Sequence, residues 1–187
     1  MRVLFLGPAE SSTLAHLAES GEEVTSTADP LDPAAIERDR PDFVVSHRYR
    51  HIIKPDVLAL VPNRAINLHI SYLPWNRGAD PNLWSWAENT RKGVTIHYID
   101  AGVDTGDIIA QREVEFEHGE TLSSSYARLE EQMLRLFVEQ WPRIRTGDCD
   151  RRPQQGEGSM HRVADRQRIE HLLVAGWDTP VAALAPS

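Results

Sequence analysis

Short apolar runs and segments of helical spacing alternate along the chain. Residues 3–6 are continuously apolar and are closed by Gly7 and Pro8, the pattern of a strand buried on both faces of a parallel sheet. A helix follows, with Ser11 or Ser12 as its cap, Leu14, Leu17 and Ala18 as its apolar positions, and Gly21 at its stop. The pattern then predicts strands over 23–27, 42–46 and 65–70, separated by short helices over 33–38 and 55–60. Such alternation defines an α/β fold, a Rossmann-like, mostly parallel sheet flanked by helices with right-handed crossovers. Asp80 and Pro81 open a helix over 82–89 that carries Leu83, Trp84 and Trp86. Residues 94–98 and 108–116 predict two further strands joined by a Gly/Asp-rich loop. Tyr126, Leu129, Met133, Leu136 and Phe137 keep helical spacing and predict a long helix over 121–141. Residues 146–160 read as a surface connector, and a last helix is expected over 164–174.

Composition narrows the function classes. The 187 residues, 41% hydrophobic and 26% charged, suit one ordinary domain. A net charge of −8 counts against a nucleic-acid partner, which needs concentrated Lys and Arg. Residues 143–168 hold seven Arg, scattered enough to read as a solvated surface. Cys149 is the single cysteine, so an internal disulfide and a multi-cysteine zinc site are excluded and a reducing compartment fits. The first apolar run is too short for a leader or a membrane span, and a cytoplasmic protein with no membrane partner is expected. Gly7 is alone in the first strand-to-helix turn, which leaves neither a dinucleotide fingerprint nor a P-loop.

The chemistry concentrates in two short stretches. On a strand over 65–70, side chains alternate, so Asn67 and His69 project together from the face opposite Ile66, Leu68 and Ile70. In an open α/β sheet, ligands bind at the carboxyl ends of the strands. Gly102 and Gly106 flank Asp104 in a loop able to turn sharply and fix one carboxylate, although a plain Asx turn has the same composition. An amide, an imidazole and a carboxylate together suit attack on an acyl carbon: Asn67 N–H₂ and protonated His69 for the oxyanion, Asp104 to orient His69 and help move a proton. No serine or cysteine stands in a nucleophile motif, so the acyl group would pass directly to the acceptor. His69, His97 and Asp104 would also make a His/Asp metal set, but Asn67 fits acyl transfer better and no metal is expected.

Asn67-x-His69-x-Ser71-x-Leu73-Pro74, Arg77-Gly78, the stretch 93–97 ending in His97, and Val103-Asp104-Thr105-Gly106-Asp107-Ile108-Ile109 resemble the core of the 10-formyltetrahydrofolate-dependent formyltransferases. The resemblance extends over about residues 42–116. It implies a catalytic triad of Asn67, His69 and Asp104, with 10-formyltetrahydrofolate as donor and the amine of a small molecule as acceptor. It also implies a folate cleft formed by Arg50, His51, Ile52 and Ile53 on one side and Ile99, Asp100, Ala101, Gly102 and Val103 on the other. Trp75, Trp84, Arg77 and His97 are the candidates for contact with the acceptor. Residues 1–145 would be the catalytic domain, and 146–187 a connector and helical extension packed on it. The oligomeric state is open, a homodimer included.

Departures from the family pattern bear on the acceptor. The region before Asn67 is short, which implies a trimmed N-terminal half. The phosphate-cradling glycines of the purine-pathway enzyme are absent, since Gly7-Pro8-Ala9-Glu10 puts an acid where a phosphate would be expected, and no basic tRNA-binding domain is expected in the roughly forty residues after the long helix. An amino sugar or nucleotide-linked amino sugar is therefore the expected acceptor, ahead of an amino-acid or natural-product amine. Hydrolysis of the folate and non-catalytic metabolite binding are the competing readings.

Overall fold

The computed structural model describes residues 1–184. Six strands form the main sheet: β1 (Arg2–Leu6), β2 (Glu23–Thr27), β3 (Phe43–His47), β4 (Ala65–His69), β6 (Gly93–Tyr98) and β7 (Ile108–Glu113), in the order β2-β1-β3-β4-β6-β7. The first four pair in parallel, and β6 runs antiparallel to both β4 and β7. The mostly parallel sheet is thus observed, with the reversal confined to β6. A second, two-stranded sheet pairs β5 (Arg77–Gly78) with β8 (Met160–His161).

Alternation along the strands divides the core into two layers. Val3, Phe5, Val45, Ile66, Leu68, Val94 and Ile96 pack beneath α1 (Ser12–Glu19) and α5 (Leu122–Ile144). Leu4, Leu6, Val44 and Ala65 face α2 (Pro33–Asp39) and the single turn α3 (Pro55–Leu58). Local chemistry starts the helices. Asp32 Oδ1 accepts the Ala35 N–H at 2.8 Å, and Thr121 and Ser124 close a reciprocal capping box on α5. The seryl cap expected for α1 is Ser11 by position, but its side chain makes no capping bond.

Two of the departures from the expected elements have clear physical reasons. α5 continues through Pro142 to Ile144 because Trp141 and Ile144 are buried, and packing of the last turn outweighs the proline. The helix expected over 164–174 is instead a chain of 3₁₀ turns, Val163–Arg168 and Glu170–Leu172. Val163 and Val174 point to solvent there, so no continuous apolar stripe is buried to hold an α-helix. α4 (Pro81–Ala87) packs on the start of α5 through Asn82, whose Nδ2 donates to Leu122 O and Ser125 Oγ, both at 3.0 Å. No described helix is long and apolar enough to cross a membrane.

Candidate active site

The reversal of β6 builds the site. Because β6 runs against β4, the loop that follows it begins beside Ala65, where Ile99 N bonds to Ala65 O at 2.9 Å. That loop then folds back along the face of β4 that carries Asn67 and His69. Asp104 lies within it in a left-handed conformation, φ 52°. Two close approaches explain its glycines. A Cβ on Gly106 would lie 1.8 Å from the Tyr98 carbonyl oxygen, and one on Gly102 would lie 2.0 Å from Thr105 Oγ1. Asp100 is the turn's own acceptor, taking the Gly102 N–H at 3.0 Å and the Thr105 hydroxyl at 2.6 Å.

Asn67, His69 and Asp104 meet, as expected. Asn67 Nδ2 donates to Asp104 Oδ1 at 3.1 Å and lies 3.3 Å from His97 Nε2. The carboxylate only accepts, which fixes the direction of the amide. Asp104 Oδ2 accepts the Gly78 N–H at 2.8 Å and stands 3.6 Å from His69 Nδ1, longer than a hydrogen bond. His69 Nε2 donates to the Asn76 carbonyl at 3.0 Å. His97, register partner of Asn67, lies behind the pair, 2% exposed, with Nδ1 on its neighbour's carbonyl Tyr98 O at 2.8 Å.

Burial governs the protonation of His69. Desolvation pulls its pKa below the ordinary 6.5 despite Asp104, which favours the cation. Desolvation also pushes Asp104 upward, but His69, His97 and the Gly78 N–H together hold its carboxyl well below the usual range. At neutral pH the site thus pairs an ionised carboxylate with a neutral imidazole. Both ring nitrogens face oxygens, so the imidazolium is stabilised once a proton arrives.

The other expected residues divide between surface and core. Arg50, Ala101, Gly102 and Val103 are exposed, and Ile52 is 74% exposed. Ile53 is instead buried among Leu4, Leu6 and Val57, and Ile99 packs against the same cluster. Both loops are therefore anchored in one core layer, with Ile52 and Val103 left free at the surface. Truncating the two isoleucines should separate these roles. Ile53→Ala is expected to cost about 2–5 kcal/mol in denaturant melts. Ile52→Ala should stay within about 0.5 kcal/mol; equal losses of stability would contradict the division.

Among the acceptor candidates, Trp75 is 37% exposed and keeps a free face. Trp84 does not: it is buried and stacked on His161, ring centroids 3.9 Å apart, which removes it as a platform for substrate. Trp86 is likewise taken up by packing, edge-on to Phe116 and beneath Lys92. Arg77 gives Nε and Nη2 to Gln154. Sequence reasoning missed Gln154, the Asn76 carbonyl and the Gly78 N–H. The last two are backbone groups without a side-chain signal, and Gln154 lies in a stretch whose composition reads as connector.

With this geometry in place, comparison with known proteins assigns the class. Residues 8–140 match the formyl transferase family, and the chain belongs to that family. The formyltransferase PseJ of Anoxybacillus kamchatkensis, whose crystal structure holds UDP-4,6-dideoxy-4-formamido-L-AltNAc and tetrahydrofolate, is 48% identical with a TM-score of 0.94. That match covers 99% of this chain and 98% of PseJ. A methionyl-tRNA formyltransferase of Syntrophus aciditrophicus is 33% identical over 84% of this chain and 50% of its own. A dTDP-4-amino-4,6-dideoxyglucose formyltransferase of Mycobacterium tuberculosis (strain ATCC 25618 / H37Rv) is 36% identical over 58% of this chain and 47% of its own. The chain thus spans half or less of these two curated relatives.

Proposed function

We propose that the protein transfers the formyl group of 10-formyltetrahydrofolate to the amino group of a nucleotide-linked amino sugar. The observation that carries this reading is the Asn67–His69–Asp104 constellation in a chain similar over nearly its whole length to PseJ. The net charge of −8 counts against the tRNA acceptor named for other relatives. The exposed Ile52 and Val103, together with the polar backbone of 99–103, suit a flat aromatic ring with a polar edge. The folate supplies the formyl carbon.

Each of the three side chains then has a task. Neutral His69 takes the proton that the attacking amine releases as its nitrogen bonds to the formyl carbon. The imidazolium so formed is held between Asn76 O and Asp104 and returns the proton to the departing folate nitrogen. Asn67 already directs its amide protons at Asp104 and His97, so its expected part in binding the oxyanion requires that the longer contact, to His97, give way. Asp104 holds Asn67 on one oxygen and turns the other toward His69.

The test is an assay of purified protein with 10-formyltetrahydrofolate and UDP- or dTDP-linked 4-amino sugars. A formylated sugar is expected together with one equivalent of tetrahydrofolate. Tetrahydrofolate released at the same rate without any amine would indicate hydrolysis, and no turnover with any amine would remove the reading.

A further inference from the structure

The segment expected to be a surface connector is laid across both loops that carry the site. Arg152 exchanges two backbone hydrogen bonds with Ile108, at 2.7 and 2.9 Å, and Ser159 Oγ accepts the Asn76 N–H at 3.0 Å. Held at these two points, and by the pairing of β8 with β5, the segment delivers Gln154 to the junction of the loops. Gln154 Oε1 accepts from Arg77 Nε at 3.1 Å and Nη2 at 3.0 Å. Gln154 Nε2 donates to the backbone carbonyls of Asp104 at 2.8 Å and Gly106 at 2.9 Å. A guanidinium only donates and a carbonyl only accepts, so this carboxamide has a single orientation and all four of its hydrogen-bonding positions are filled.

The partners of Gln154 matter more than their number. It does not reach the Asp104 carboxylate; it holds the backbone from which that carboxylate projects. Asp104 occupies a left-handed conformation, which Asp reaches more readily than most residues but which remains less favourable than extended or helical backbone, so bonds that hold the turn help to fix it. The two bonds from Nε2 bracket this turn, and the two from Arg77 tie it to the segment whose Gly78 N–H binds Asp104 Oδ2. The contacts close a ring: Gln154 to Arg77, along the chain to Gly78, across to the Asp104 carboxylate, and through the Asp104 backbone to Gln154.

We propose that Gln154 is a positioning residue for formyl transfer, clamping the 102–106 loop to Arg77–Gly78 so that the Asp104 carboxylate is presented to His69. This rests on the reading of Asp104 as a catalytic group given above. Two variants dissect the clamp. Gln154→Glu keeps the acceptor for Arg77 but sets oxygen against both loop carbonyls, and Gln154→Met removes both arms at similar volume. Each is expected to lower kcat about 10²-fold, the size of effect that a small misplacement of a catalytic group produces. KM for folate and sugar should stay within about threefold, since ground-state binding is not what is lost. Placed in an Asp104→Asn background, Gln154→Met should add no further loss, because Gln154 acts only through that carboxylate.

Unchanged kcat in both single variants would overturn the assignment. So would an undiminished loss in the Asp104→Asn background, or failure of both variants to fold by circular dichroism, which would make Gln154 a fold element. If Asp104→Asn itself keeps full kcat, the catalytic reading falls; if it is slow while the Gln154 variants are not, only the clamp does.

Discussion

Asp104→Asn is expected to lower kcat by about 10²–10⁴-fold, the range of positioned acid–base and electrostatic effects. The replacement is nearly isosteric, so the loss reflects chemistry rather than packing. The two carboxylate oxygens accept from different donors, Asn67 Nδ2 and Gly78 N–H. An asparagine amide must turn its own NH₂ toward one of them, whichever way it lies. The charge that favours protonated His69 also disappears. Because Asp104 raises the His69 pKa while burial lowers it, removing the carboxylate lowers that pKa further. Activity that requires neutral His69 is lost as pH falls through this pKa. The acid limb of the kcat profile should therefore move to lower pH in the variant. A limb that stays in place or moves upward would show that His69 is not the titrating base.

Gly106→Ala should be nearly as damaging by another route. The added methyl group would lie 1.8 Å from the Tyr98 carbonyl oxygen, with the rigid β6–β7 pairing behind it. No flexible side chain is present to yield, so the loop itself must move. A stability loss of about 1–3 kcal/mol is expected from overpacking, with a fall in kcat of about 10²-fold from displacement of Asp104. Gly102→Ala is the comparison. Its methyl group meets Thr105 Oγ1, which can rotate away at the cost of its bond to Asp100. That variant should therefore lose no more than about 1.5 kcal/mol, the scale of one hydrogen bond. Denaturant melts and steady-state kinetics on the two proteins check the order; equal kcat in both would mean that loop placement does not limit the reaction.

Both predictions concern a loop that is short in sequence and widely connected in space. The turn 102–106 receives bonds from Asn67 on β4, Gly78 on β5 and Gln154 in the 152–161 segment. A functional carboxylate carried on a loop keeps its geometry only through such supports, since the loop's own backbone makes few bonds to itself. The 3.6 Å separation of His69 from Asp104 also leaves room for closure when substrate enters.

The sequence by itself determined whatever depends on neighbours along the chain. Apolar runs at 3–6 and 43–45 mark strands because a strand covered on both faces has little room for polar side chains. Period-two alternation puts Asn67 and His69 on one face whatever the rest of the chain does. The caps at Asp32 and Thr121 lie within three residues of the groups they satisfy. Only the tertiary structure decided the antiparallel course of β6, which sends the Asp104 loop back over β4, and the stacking of Trp84 on His161. It also decided the burial of His97 behind Asn67 and the docking of 152–161 onto the site. These features join residues up to 83 positions apart, as Asn76 and Ser159 are. Their pairing follows from which surfaces remain uncovered once the sheet has formed, and no local pattern of polar and apolar residues records that.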